Sequence, residues 1–296
     1  LQRSFPRRES RDILYHRRMS LRAFSLAIVL VGACSGGRGG AGARSSDTGG
    51  GPGSGTQGGG LVLPPVNARI DYQLGGAYPP SAGVAVVTRD RSAQPAPGLY
   101  DICYINGFQI QPDEEDLWLG RHPELILRDA KGDAVVDPDW NEMLIDVRPA
   151  KQAAVATVVG EWIAGCKSAG FDAVEIDNLD AYTRSNGILT ADDAVKTMRL
   201  FADRAHEVGM PIAQKNSAEL VDRRDEMGTD FAVAEECNRY SECDSYTASY
   251  GEHVLVIEYR RQDFDAGCAA YPDLSIVLRD RMLLTPASSG YVYEGC

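Results

Sequence analysis

Four carboxylates fall within the ten residues FDAVEIDNLD, positions 171–180: Asp172, Glu175, Asp177 and Asp180. The middle of this stretch, Ala173 to Asp177, reads as a buried strand. Burying an ionised carboxylate costs several kcal/mol unless a partner compensates it. A core strand that ends in acids therefore needs a cation or a ligand. Glu175 and Asp177 are two residues apart, so both face the same way, and Lys215 is the candidate cation for Glu175. Asp172, at the start of the strand, is expected in solvent. A second acidic strand end occurs at DFAVAEE, with Glu235 and Glu236. Alternation pairs Val233 with Glu235, or Ala234 with Glu236, and does not decide which pair faces the first strand's acids.

Two carboxylates without metal-binding histidines suit glycoside hydrolysis. One protonates the leaving oxygen, and the other attacks the anomeric carbon or activates water. The two need different environments, and Lys215 could hold its neighbour ionised. Tyr72, Trp140, Tyr182 and Tyr259 could stack on sugar rings. A second reading takes EIDNLD as a Mg2+ or Ca2+ site, as in a metal-dependent phosphodiesterase. Such a site wants basic groups for phosphate, and few are at hand beyond Lys215 and Arg279. A third reading is a barrel that binds sugar without turnover. Zinc is not expected: the chain has no CxxC or HExxH, and beyond residue 60 it has only His122, His206 and His253. No cofactor or metal is expected.

These side chains need a frame. Eight segments read as strands: RIDYQLG, GVAVVTRD, GLYDICYING, FDAVEID, MPIAQKN, DFAVAEE, HVLVIEY and LSIVLRD. Four helices alternate with the later ones. KQAAVATVVGEWIAGCKSAG has an apolar face of Val155, Val158, Val159, Trp162, Ile163 and Cys166. LTADDAVKTMRLFADRAHEVG has Thr190 and Asp193 at capping-box spacing and ends at Gly209. SAELVDRRDEMG and RQDFDAGCAAY follow. Residues 106–148 look loop-rich. Repeated βα units imply a parallel sheet, and eight strands in about 230 residues imply a closed barrel. The expected fold is α/β, a single (β/α)8 TIM-type barrel with an irregular first half. Active sites of such barrels lie at the C-terminal strand ends. Here those ends carry Asp71 and Gln73, Tyr104 and Asn106, Glu175 and Asp177, Gln214 to Asn216, Glu235 and Glu236, Glu258 and Tyr259, and Arg279 and Asp280.

Charge and cysteines set the context. The chain of 296 residues has a net charge of −12. Residues 1–60 hold nine Arg and three Asp or Glu, which leaves 21 basic and 39 acidic residues, a net of −18, for the rest. A domain so acidic argues against nucleic acid and fits neutral or cationic ligands. Arg17, Arg18 and Arg22 flank the short apolar run AFSLAIVLVGAC, as in an export signal. Its end, LVGAC, is similar to a lipobox, which would make Cys34 a lipidated N-terminus and the membrane anchor. The expected organisation is an export signal over 1–34, a Gly/Ser-rich disordered linker over 35–65, and a barrel domain over 66–296, monomeric and exported as a cell-surface lipoprotein or secreted protein. Without Cys34, six cysteines remain: Cys103, Cys166, Cys237, Cys243, Cys268 and Cys296. An even number in an exported domain suggests up to three disulfides, with 15 connectivities available. Cys237–Cys243 could close a local loop and Cys268–Cys296 could staple the C-terminus.

The segments RIDYQLGGAYPP, YDICYINGFQIQPDE, VVDPDWNEMLIDV, GFDAVEIDNLDAYTR, AQKNSAEL and DFAVAEEC, in that order, resemble glycoside hydrolase family 114, the bacterial endo-α-1,4-polygalactosaminidases. The resemblance implies a (β/α)8 barrel that cleaves α-1,4-linked galactosamine exopolysaccharide, a cationic polymer that suits the acidic domain. It implies a catalytic pair at Asp177 and Glu235. Relatives often carry Ser at the position of Glu236, which favours Glu235. It implies substrate or supporting positions at Asp71, Gln73, Tyr104, Asp180, Lys215, Asn216, Glu236 and Tyr259. Retaining α-glycosidase barrels that this pattern resembles use the fourth-strand Asp as nucleophile, so Asp177 is expected to attack and Glu235 to act as acid and base.

Overall fold

A computed structural model describes residues 60–296. The expected export signal, the lipobox at Cys34 and nearly all of the expected linker lie outside the described residues. Among the described residues, packing extends ahead of position 66. Pro64 is buried, and the Tyr100 hydroxyl donates to the Val62 carbonyl at 2.7 Å.

Twelve strands are present among the described residues: β1 (Ile70–Tyr72), β2 (Val86–Asp90), β3 (Tyr100–Asn106), β4 (Gln109–Ile110), β5 (Val136–Asp137), β6 (Glu142–Leu144), β7 (Ala173–Asp177), β8 (Ile212–Lys215), β9 (Phe231–Glu235), β10 (Val254–Glu258), β11 (Ser275–Arg279) and β12 (Tyr293–Gly295). Eight of them, β1, β2, β3, β7, β8, β9, β10 and β11, form one parallel sheet in chain order. These are the eight strands read from the sequence. β11 comes back beside β1 without ladder pairing, and antiparallel β12 lies on β11 and touches β1. Arg279 spans this seam, donating to the Tyr72 carbonyl and, at 3.1 Å, to Asp71.

Inward and outward residues alternate along the strands. Ile70, Tyr72, Val86, Ile102, Ala173, Ala213, Phe231, Val233, Leu255, Ile257 and Val277 fill the barrel interior. Val174 and Ile176, on the other face of β7, pack under α2 (Gln152–Ala169) and α3 (Ala191–Glu207) with Val155, Val159, Met198 and Phe201. The α2 helix ends at Gly170, whose φ of 102° lets its N–H return to the Cys166 and Lys167 carbonyls before β7 begins. At α3 the Thr190–Asp193 capping box forms in both directions.

Two regions differ from the sequence reading. Residues 106–148 are more ordered than loop. They hold helix α1 (Glu115–Arg121) and a small antiparallel sheet in the order β4-β6-β5. Strands of two or three residues are too short to display a periodicity. The expected helix after β8 is a 3-10 segment, Ala218–Arg223, followed by one α turn, α4 (Arg224–Met227). Helices α5 (Cys237–Tyr240), α6 (Cys243–Tyr250) and α7 (Arg261–Ala270) complete the wall. The disulfides are Cys103–Cys166, Cys237–Cys243 and Cys268–Cys296. Among the described residues, no helix is long and apolar enough to cross a membrane.

Candidate active site

The alternation that fills the barrel with Phe231 and Val233 carries one step further to Glu235, so Glu235 and not Glu236 faces inward. The same parity brings Tyr72, Tyr104, Glu175, Asp177, Lys215 and Tyr259 to the same end. Their common centre is Lys215, 2% exposed. Its ammonium lies 3.1 Å from Glu175, 3.6 Å from Asp177 and 3.5 Å from Glu235, and it donates to the Tyr72 hydroxyl at 2.8 Å. Burial alone would lower the pKa of this ammonium. Asp177, Glu235 and Glu175 outweigh burial and hold it well above its ordinary value. Lys215 is a fixed positive charge at any working pH.

The three carboxyls differ in setting. Glu175 is fully buried beneath the others, and the Tyr72 hydroxyl donates to it at 2.5 Å. Burial raises its pKa, with Lys215 and Tyr72 opposing. Asp177 is partly exposed and accepts from the Tyr104 hydroxyl at 2.7 Å. Glu235 is also partly exposed. It accepts from the Tyr259 hydroxyl and, at 3.0 Å, from the Asn216 amide, whose oxygen in turn accepts the Glu235 N–H at 2.8 Å. Burial, then the neighbouring carboxylates, push the Tyr72 and Tyr259 hydroxyls far up, so both remain donors; Tyr104 behaves alike, with Lys215 opposing. The ammonium distances to Asp177 and Glu235 keep those two oxygens no more than about 7 Å apart, an upper limit compatible with the separations at which paired carboxylates cleave glycosides. Three carboxyls share one ammonium, so the cluster carries excess negative charge when all three are ionised.

The chain leaves each of these strands by the same device. Asn178, Asn216 with Ser217, and Glu236 have φ of 62°, 50°, 61° and 58°. A left-handed residue directly after Asp177, Lys215 and Glu235 turns the backbone away and leaves those side chains at the rim. Asn tolerates this conformation and Glu does so at a cost of about 1 kcal/mol.

The remaining candidates sit elsewhere. Asp71 and Gln73 form a separate network. Gln73 and Tyr78 donate to Asp71 at 2.8 Å each, and Arg89 donates to Gln73 at 3.0 Å. Asp180 is gripped by Arg184 at 2.8 Å, and Arg184 also holds Asp137 at 2.7 Å. Glu236 is buried behind β9 against Arg239 at 2.5 Å. Of the aromatics, Tyr72 and Tyr259 join the cluster, Tyr182 donates to Glu219, and Trp140 is exposed. Asp172 is exposed, as expected.

Sequence reasoning passed over Glu142, at the start of β6. The Asn106 amide donates to it at 3.1 Å, and Asn106 is the ladder partner of Asp177. Burial first, then the charge of Asp177, raise its pKa to about 7, against the Asn106 hydrogen bond. The signal available was its place inside VVDPDWNEMLIDV.

Comparison with known proteins gives the family and the fold. The sequence model of glycoside-hydrolase family GH114 matches residues 54–296. Ega3 from Aspergillus fumigatus, crystallised in complex with galactosamine, superposes with a TM-score of 0.65 at 21% identity, covering 82% of this chain and all of that one. The glycoside hydrolase domain of PelA from Pseudomonas aeruginosa gives a TM-score of 0.52 at 13% identity, covering 76% and 97%. At these identities the two structures establish the fold. No curated protein sequence matches the chain.

Proposed function

Because the chain belongs to glycoside-hydrolase family GH114, we propose that it hydrolyses α-1,4-linked galactosamine-containing exopolysaccharide with Asp177 and Glu235 as its two carboxylates. The observation that carries this reading is Lys215, which stands 3.6 Å from one acid and 3.5 Å from the other in a barrel mouth. Asp177, held by Lys215 and the Tyr104 hydroxyl, is the nucleophile. Glu235 protonates the leaving oxygen and then draws a proton from water. Asn216 and Tyr259 fix the Glu235 carboxyl for both steps. The galactosamine bound to Ega3 supports the choice of sugar. The acidic domain suits a polymer of protonated amines.

The three disulfides support export to an oxidising compartment. The lipobox-like LVGAC supports Cys34 as the attachment point of a lipid anchor, and the protein is proposed to work as a monomer. Mass spectrometry of the mature protein from its host tests the anchor: an unlipidated N-terminus would rule it out.

The hydrolase reading is tested by incubating the purified protein with α-1,4-galactosamine polymer and sizing the products. Oligosaccharide release that persists in chelator is expected. A folded protein that leaves the polymer intact would refute the reading, and activity lost to chelator and restored by Mg2+ or Ca2+ would favour the metal-dependent alternative. Proton NMR of the first product formed reports the stereochemistry. Retention fits Asp177 as nucleophile, and inversion would make it or Glu235 a base acting on water.

A further inference from the structure

Glu142 differs from the acids around it in one respect. Asp177, Asp137 and Glu114 all face it. Each of those has a cation: Lys215 at 3.6 Å, Arg184 at 2.7 Å and Arg91 at 2.6 Å. Among the described residues Glu142 has no cation, and Asn106 is its only side-chain hydrogen-bond donor. A partly buried carboxyl beside another acid, with no basic partner among the described residues, is a place where a positive charge from a ligand fits.

We propose that Glu142 is the residue that selects an amino sugar, its carboxylate pairing with the C2 ammonium of the hexosamine whose anomeric carbon lies at Asp177. The proposal rests on the reading of Asp177 as the attacking carboxylate. C2 is one bond from the anomeric carbon. Its substituent sits beside Asp177, whose ladder partner Asn106 donates its amide to Glu142, and Glu142 is close enough to Asp177 to feel its charge. Burial and the charge of Asp177 make ionised Glu142 costly and raise its pKa to about 7. An arriving ammonium offsets that cost and gains a charge-assisted hydrogen bond. A hydroxyl or an acetamido group at C2 brings no charge and gains less.

The test compares the protein with Glu142→Gln on two substrates, de-N-acetylated α-1,4-galactosamine oligomers and their fully N-acetylated counterparts. Calorimetric binding of galactosamine to both proteins gives a readout independent of turnover. The ratio of kcat/KM for the free amine over the acetamide is expected to fall about 10- to 100-fold in the variant, and galactosamine affinity with it. An unchanged ratio, or equal losses on both substrates with galactosamine binding intact, would overturn the proposal and leave the hydrolase reading standing. A wild-type protein that cleaves neither oligomer would overturn both.

Discussion

Replacing Lys215 by Met removes the cation at the centre of the site while keeping most of its volume. Its ammonium faces three carboxyls at 3.1, 3.6 and 3.5 Å. At an effective dielectric near 20, a unit pair at about 3.5 Å is worth roughly 5 kcal/mol. Burial raises the pKa of Glu175, so only the other two pairs are counted, and they give a gross attraction of roughly 10 kcal/mol. Burying the ammonium costs several kcal/mol, so removing it leaves a net loss of about 3–5 kcal/mol. The loss has a pH dependence. Carboxyls stripped of their cation take up protons more readily in the folded chain than in the unfolded one. Stability of the variant therefore falls as pH rises through the carboxyl range, and the deficit is larger at pH 8 than at pH 5. Urea unfolding followed by tryptophan fluorescence at both pH values measures it. A deficit under about 1 kcal/mol at pH 8, or one equal at both pH values, would refute Lys215 as the charge that holds the cluster together.

Two further outcomes concern the scaffold. Glu258 is buried, and burial together with Asp263 and Glu236 outweighs its bond from the Asn238 N–H and raises its pKa from 4.5 to about 7. The folded state thus keeps a proton that the unfolded chain releases, so Glu258 costs stability progressively as pH rises from 4.5 to 7. The penalty above that window is about 3 kcal/mol at most. Glu258→Gln should be the more stable protein at pH 8 and lose its advantage by pH 4.5. A pH-independent difference in urea midpoints would count against this. For the disulfides, loop-closure entropy gives about 4 kcal/mol for Cys103–Cys166, which spans 63 residues, and about 2 kcal/mol for Cys237–Cys243, which spans 6. The Cys103→Ala/Cys166→Ala pair should therefore lower the melting temperature more than the Cys237→Ala/Cys243→Ala pair, and the reverse order would be evidence against the entropic account.

What could be read in advance follows from element length. All eight barrel strands were legible because each carries an apolar run bounded by turn residues. Lys215 was legible as a partner for Glu175 because strand parity aims both inward. The choice of Glu235 over Glu236 was not legible from alternation alone. It depends on whether Phe231 and Val233 or Ala232 and Ala234 fill the barrel, and all four are apolar. Asp180 looked available for sugar because Arg184, four residues on in a 3-10 segment, gave no sign of folding back on it. Asp71 looked like part of the site because it ends a strand, yet its parity on β1 is opposite to that of Tyr72, and it faces Arg279 at the seam. Glu142 lies in a strand too short to show a periodicity, so only its place inside VVDPDWNEMLIDV marked it, and its approach to Asp177 is visible only in the fold.

The central claim is that Asp177 and Glu235 are the working pair. It is tested most directly by measuring oligosaccharide release from α-1,4-galactosamine polymer by Asp177→Asn and Glu235→Gln. Each variant is first checked by circular dichroism and thermal melting to be folded. The expected result is a loss of at least about a hundredfold in kcat for each. Either variant cutting the polymer at the wild-type rate would contradict the assignment.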